Sequence, residues 1–267
     1  MRKSLPVLVI VALVALVSAA CGAATSSASA TLDHSPASAQ HAKKVDAATA
    51  GSVSGKVMLG GPAPAPEMMR VAVDPTCIQA MGTTAKSDAI LIGADGAIQN
   101  AFVYIKDALG DYTFDMPAAA VVLDQVGCRY APRIFGVRVG QPVEMVNSDA
   151  TMHNVHAMPM VNQEFNRGMP QQHSRMTQIF TAPEQMVRFK CDLHSWMNAY
   201  GGVMPHPFFA VTGADGAFSL KSVPPGKYEV VVWHEKLGTS TETVEIGNSQ
   251  AVSLNVTLST KTKEEKK

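Results

Sequence analysis

The sequence predicts an all-β chain, and three observations carry that prediction. Val252, Leu254, Val256 and Leu258 recur in strict period two, the pattern of a strand with one buried face. Tyr228, Val230 and Val232 share one strand face in the same way, after a turn at Pro224-Pro225-Gly226. Asp-Gly pairs at Asp95-Gly96 and Asp215-Gly216 favour the positive φ of tight hairpin turns, and long helical periodicity is absent.

From the N-terminus, Arg2 and Lys3 precede an apolar run from Leu5 to Val17, and Ser18-Ala19-Ala20 supplies small residues before a cleavage point. This is the pattern of an export signal over residues 1–20. Cys21 then stands where a bacterial lipoprotein carries its lipidated cysteine, with Ser18 at the position where Leu or Val is usual. Residues 21–50 are Ala/Ser-rich and unable to bury a core, so they read as a flexible tether. The charged tail 260–267 reads as frayed.

In the mature region, Val53–Leu59 is a strand ended by Gly60-Gly61-Pro62, and Ala101–Lys106 is a second. Val143, Met145 and Asn147 alternate along a third, after Gly140-Gln141-Pro142. Val187, Phe189 and Cys191 share one face of a fourth, with Arg188 and Lys190 on its wet face. In the last third, Phe218 and Leu220, the Tyr228 run, Val244 and Ile246, and the run to Leu258 together predict a half-buried antiparallel sheet.

The chain has 22 basic and 22 acidic residues and no net charge, so no broad basic face for nucleic acid is implied. Among four cysteines, Cys21 belongs to the signal junction. In an exported chain Cys77 and Cys128 are then expected to pair as a disulfide. Cys191 is left without a partner; metal ligation and a quiet buried thiol are the two readings.

Cys191, His194 and Met197 follow the spacing Cys-x-x-His-x-x-Met. A soft thiolate, an imidazole and a thioether from one short loop suit copper in both oxidation states, whereas Met is a poor zinc ligand. A second histidine must come from elsewhere. Upstream, a strand ending at Asn147 leads into Ser148-Asp149-Ala150-Thr151-Met152-His153-Asn154-Val155-His156. The two segments together resemble the cupredoxins, the amicyanin-like members above all, over 116–206. The resemblance implies a Greek-key sandwich with one mononuclear type 1 copper. His153, Cys191 and His194 would be equatorial ligands and Met197 the weak axial one. Asn154 would bond across to the ligand loop, and His156 would cover the site, its use as a ligand in place of His153 being the alternative. Ser195 and Trp196 stand where the family usually has Pro and Phe, which places a bulky ring beside the site. His173, His206 and His234 are read as non-ligating. Met152, Met158, Met160, Met169 and Met176 are either a soft Cu(I) surface or an apolar patch or core.

A second resemblance rests on Thr212–Leu220 and on Val-Pro-Pro-Gly-Lys-Tyr-Glu-Val at 223–230. These look like the carboxypeptidase regulatory-like, or transthyretin-like, β-sandwich, and Val53-Ser-Gly-Lys-Val with Gly-Gly-Pro-Ala-Pro resembles its first strand. The pieces flank the copper segment, so a discontinuous sandwich over 51–112 and 207–259 is expected, with the copper domain inserted.

With three strong donors and one weak donor, no coordination position is open to a substrate, and no nucleotide loop or Ser/His/Asp arrangement is present. The expected function is therefore a one-electron carrier rather than an enzyme. It would serve redox partner proteins in the cell envelope, either periplasmic or held to the membrane through Cys21. The competing readings are a copper-delivery protein and a structural or carbohydrate-binding envelope module.

Overall fold

The computed structural model describes residues 43–71, 74–106 and 109–260. The signal region, Cys21, the expected tether as far as residue 42 and the tail from 261 lie outside the described residues; 43–50 is not a free tether, because Lys43 N–H donates to the Asp111 carbonyl at 2.9 Å, Ser249 N–H to the Thr49 carbonyl at 2.8 Å, and Val45 packs on the first core. No helix among the described residues is long and apolar enough to cross a membrane.

The regular structure among the described residues is nearly all strand, with one short α-helix, and its larger sheets build two cores. In the first, Gly51–Gly60 is the central strand of one sheet. It pairs antiparallel with Ala217–Val223, and parallel with Ala251–Ser253 and Val256–Ser259. The facing sheet runs Phe209–Val211, Phe102–Lys106, Gly226–His234, Gly238–Ile246. Val53, Val57, Val103, Ile105, Leu220, Val230, Val232 and Ile246 fill the space between them. Each such side chain contributes about 1.5–3 kcal/mol on full burial.

Two sequence expectations are corrected here. The last third is not one antiparallel sheet: its strands are divided between both sheets, and the final ones run parallel to Gly51–Gly60. Nor is 252–258 one strand. It breaks at Leu254 and Asn255, where the Asn255 side chain accepts the Lys56 N–H at 2.9 Å. A Cβ on Gly55 would lie 1.8 Å from the Leu254 carbonyl oxygen, so only glycine permits this approach. The alternation survives the break because both halves turn the same face inward.

The second core lies between a four-stranded and a five-stranded sheet. The order in the first is Arg175–Ile179, Pro142–Asn147, Val121–Val126, Arg129–Ala131. In the second it is Phe165–Met169, His153–Met158, Glu184–Lys190, Asn198–Met204, Ile134–Arg138. Leu123, Val143, Met145, Val155, Val187 and Phe189 are buried between them.

The stretch 51–112 does not belong wholly to the first sandwich. Met68–Arg70 and Thr84–Lys86 form a small antiparallel ladder around the helix Pro75–Met81. Val71, Cys77, Ile78, Met81 and Ala85 pack on the second core instead, because Cys77 is bonded to Cys128 there, with Cα atoms 5.4 Å apart. Asp74 caps the helix, accepting from the Thr76 and Cys77 N–H groups at 2.8 and 3.1 Å, and Pro75 follows it. That is the usual chemistry of a helix start.

The two sandwiches meet through aromatic rings laid on glycines. A Cβ on Gly136 would come within 2.3 Å of the Phe209 ring, and one on Gly202 within 2.6 Å of Phe102. Beside this contact Arg133 forks onto Glu235 and reaches Asp88 at 2.5 Å.

Candidate metal centre

Three neighbouring strands deliver the candidate donors to one edge of the five-stranded sheet. His153 opens its strand, Cys191 follows directly on Glu184–Lys190, and Met197 directly precedes Asn198–Met204. These strands pair antiparallel, so the start of one lies beside the end of the next. The connecting loop is closed by Met197 N–H to the His194 carbonyl at 2.9 Å and Cys191 N–H to the Met197 carbonyl at 3.2 Å.

His153 Nδ1 lies 2.9 Å from His194 Nδ1, and Cys191 Sγ lies 3.6 Å from the same nitrogen. One ligand atom from each of the three residues falls within 4.8 Å of the others. All are buried: His153 is 0 % exposed, Cys191 1 % and His194 4 %. Met197 is buried in the same core. His156 is turned away, with Nδ1 on Asp192 at 3.0 Å and Nε2 on Glu164 at 2.8 Å at the surface. Strand alternation accounts for this, since residues 153 and 156 fall on opposite faces.

Two carboxylates that sequence reasoning missed complete the arrangement. His153 Nε2 meets Asp149 at 3.0 Å, and His194 Nε2 meets Asp74 at 3.2 Å. An ionised carboxylate only accepts, so each Nε2 carries its proton and each Nδ1 faces inward. Two Nδ1 atoms 2.9 Å apart need a cation between them, either a metal ion or, in the metal-free protein, a proton that can also be donated to Cys191. Two imidazole nitrogens, a thiol and a neighbouring thioether residue therefore fit a soft or borderline metal, with copper foremost. The other two donor groups among the described residues each include a cysteine already in the disulfide.

The electrostatics agree with that reading. Burial works against ionisation of Cys191, but hydrogen bonds from His153, His194 and the Asn154 backbone outweigh it and bring the thiol down to about 6. The hydrogen bond to Cys191 raises His194, against burial, and Asp74 adds to the rise. Burial pushes Asp74 up, yet bonds from Thr151, the Cys77 and Thr76 N–H groups and His194 hold it below the ordinary carboxylate value. A cysteine held as thiolate beside two histidines marks a functional site more often than a structural one.

Asn154 bridges the strand to the loop. Its Oδ1 accepts the Asp192 N–H at 2.8 Å and lies 3.2 Å from Cys191 Sγ. Its Nδ2 donates to Asn166 at 2.7 Å and Asp192 at 3.2 Å. Trp196 is half-buried. Its ring lies 5.2 Å from that of His194 and its Nε1 donates to the Cys128 carbonyl at 3.0 Å.

The five central methionines do not form one surface. Met152, Met158 and Met160 are exposed, whereas Met169 is buried against Gln125 and Met176 is half-buried against the second core. His206 and His234 each accept a backbone N–H through Nδ1. Of the missed carboxylates, Asp74 carried a readable signal as the Asp of an Asp-Pro helix start, and Asp149 as a carboxylate four residues before His153. Neither signal points to a histidine 120 residues along the chain.

Residues 204–259 match the carboxypeptidase regulatory-like domain. Similar solved structures include a reduced-state mutant of amicyanin, 25 % identical over 34 % of this chain and 87 % of that one, with a TM-score of 0.30. A copper-containing nitrite reductase from Thermus scotoductus SA-01 is 22 % identical over 38 % and 25 %, with a TM-score of 0.29. A purple cupredoxin from Nitrosopumilus maritimus is 18 % identical over 32 % and 99 %, with a TM-score of 0.28. No curated protein sequence matches the chain.

Proposed function

We propose that this chain holds one copper ion at His153, Cys191, His194 and Met197 and serves as a one-electron carrier of the bacterial cell envelope, acting on partner proteins rather than as an enzyme. The observation that carries the reading is the buried convergence of His153 Nδ1, His194 Nδ1 and Cys191 Sγ from two segments of the chain. Copper, when bound, supplies a one-electron couple in which a thiolate–imidazole–thioether set serves both oxidation states.

The chain's own residues do the rest. Cys191 gives up its proton readily, because His153 and His194 already favour its thiolate. Asp149 and Asp74 hold the two rings with Nδ1 inward. The core around Phe189, Val155 and Met145 excludes water, and the four donors leave no place for a substrate. The export pattern over 1–20 and Cys21 support a place in the cell envelope, periplasmic or held to a membrane by lipid.

The test is to add one equivalent of Cu(II) to the purified soluble part and record visible and EPR spectra. An intense thiolate-to-copper band with reversible reduction is expected. Cys191→Ser should lose the band, because a serine hydroxyl stays protonated, while His156→Ala should keep it. Met197→Leu should keep the copper and raise the potential. A wild-type protein that takes up no copper would overturn the reading. A colourless site that yields its metal to an acceptor would replace it with delivery.

A further inference from the structure

We infer that Asp74 and Asp149 are positioning residues, one for each copper histidine, and that the Cys77–Cys128 disulfide locks the two together so that the metal is resident and exchanges slowly. This rests on the copper reading above and goes beyond it in separating a fixed cofactor from a cargo.

Each carboxylate spans the same two kinds of partner. Asp74 meets Nε2 of His194 at 3.2 Å and accepts the backbone N–H of Cys77 at 3.1 Å. Asp149 meets Nε2 of His153 at 3.0 Å and accepts the backbone N–H of Cys128 at 2.8 Å. The two cysteines are bonded to each other. The path therefore runs from one copper histidine through a carboxylate, across the disulfide, and through a second carboxylate to the other histidine. Side bonds stiffen it: Thr151 Oγ1 donates to Asp74 at 2.7 Å, Gly127 N–H to Asp149 at 2.7 Å, and Trp196 Nε1 to the Cys128 carbonyl.

The start of the helix segment lies against His194 through Asp74, with the Trp196 ring 5.2 Å away, and His194 is only 4 % exposed. Both cysteines are fully buried, so the strap is a permanent tie. A ring whose second nitrogen is held by a carboxylate keeps its tautomer and orientation, and removing such a partner weakens metal holding by about 10–100-fold.

The experiment loads the purified protein with Cu(I) and follows its loss to excess bicinchoninate, then records the EPR spectrum of the Cu(II) form. Wild type should exchange slowly. Asp74→Ala and Asp149→Ala should each speed loss by about 10–100-fold and broaden the EPR lines as the ring loses its fixed orientation. Asp74→Asn should restore only part of the slow exchange, because its one amide oxygen can accept the His194 N–H only by turning its NH2 onto the Thr76 and Cys77 N–H groups. The paired variant Cys77→Ala/Cys128→Ala should speed loss as much as either alanine; if it does not fold, the carboxylate variants carry the test alone. Copper uptake by wild type with unchanged loss rates and spectra in both alanine variants overturns this inference only, even where their melting temperatures fall. Failure of wild type to take up copper overturns the copper reading and this inference with it.

Discussion

Asn154→Ala should destabilise the metal-free protein. The side chain is 6 % exposed and joins the His153 strand to the loop after Cys191. Its removal leaves the Asp192 N–H without the acceptor it meets at 2.8 Å, and Asn166 and the Asp192 carboxylate without donors at 2.7 and 3.2 Å. The carboxylate is partly solvated and keeps Lys190 and His156, so its loss counts for little. The backbone donor dominates; its bond is part-buried, and leaving such a donor unsatisfied away from water costs about 1–3 kcal/mol. With about 2 kcal/mol as the working value, a chain of this size should melt ~4–8 °C lower. Differential scanning calorimetry on the metal-free protein reads this directly. Asn154→Asp should not rescue it at neutral pH, because the new carboxylate would face Asp192 where an N–H now stands. A melting temperature within about 1 °C of wild type for Asn154→Ala would refute the reasoning, since the bridge would then be contributing nothing.

Three further outcomes are expected. Arg133→Met should cost about 3–5 kcal/mol, because it strands Glu235, whose side chain is 5 % exposed; Arg133→Met/Glu235→Leu should recover most of that in thermal melts, and equal losses would sink the assignment. Burial, with Arg133 nearby, lowers His234 to about 4, so its contribution is fully present above the unfolded value near 6.5 and is lost as pH falls toward 4, by up to about 3 kcal/mol. His234→Asn keeps an acceptor for the Leu237 N–H and should flatten melting temperature against pH in that window; an unchanged slope counts against it. Cys21→Ser should move the protein from the membrane to the soluble envelope fraction, and a wild type already soluble would rule out the anchor.

The loop half of the candidate site was legible because its chemistry is local. Cys191, His194 and Met197 stand within seven residues, and alternation alone turns Val187, Phe189 and Cys191 to one side. The first sandwich was readable for the same reason, since Tyr228, Val230 and Val232 declare a buried face without reference to anything distant. What stayed hidden depends on contacts between distant segments. Period two in 252–258 cannot report that the strand breaks at Leu254 or which sheet receives it, because both pieces keep the same inward face. Asp74 reads as an ordinary cap for a short helix; that it also holds His194 follows only once the disulfide has brought that helix to the second core.

The placement of Gly51–Gly60 carries a consequence for how the molecule is made. Every strand that pairs with it lies at 217 or beyond, so as the chain emerges its first long strand waits for its last ones. The five strands around the candidate donors are complete by Met204 and need only the helix segment before them. Closing the outer sheet requires a loop of well over a hundred residues, an entropic cost lowered in advance if the inserted part has already condensed and drawn the two ends together. Assembly then proceeds from the inside outward. Until Val256–Ser259 docks, Gly51–Gly60 presents an unpaired edge of the kind that recruits strands from other molecules, which makes the closing strands, far from the donors, the guard against aggregation during synthesis.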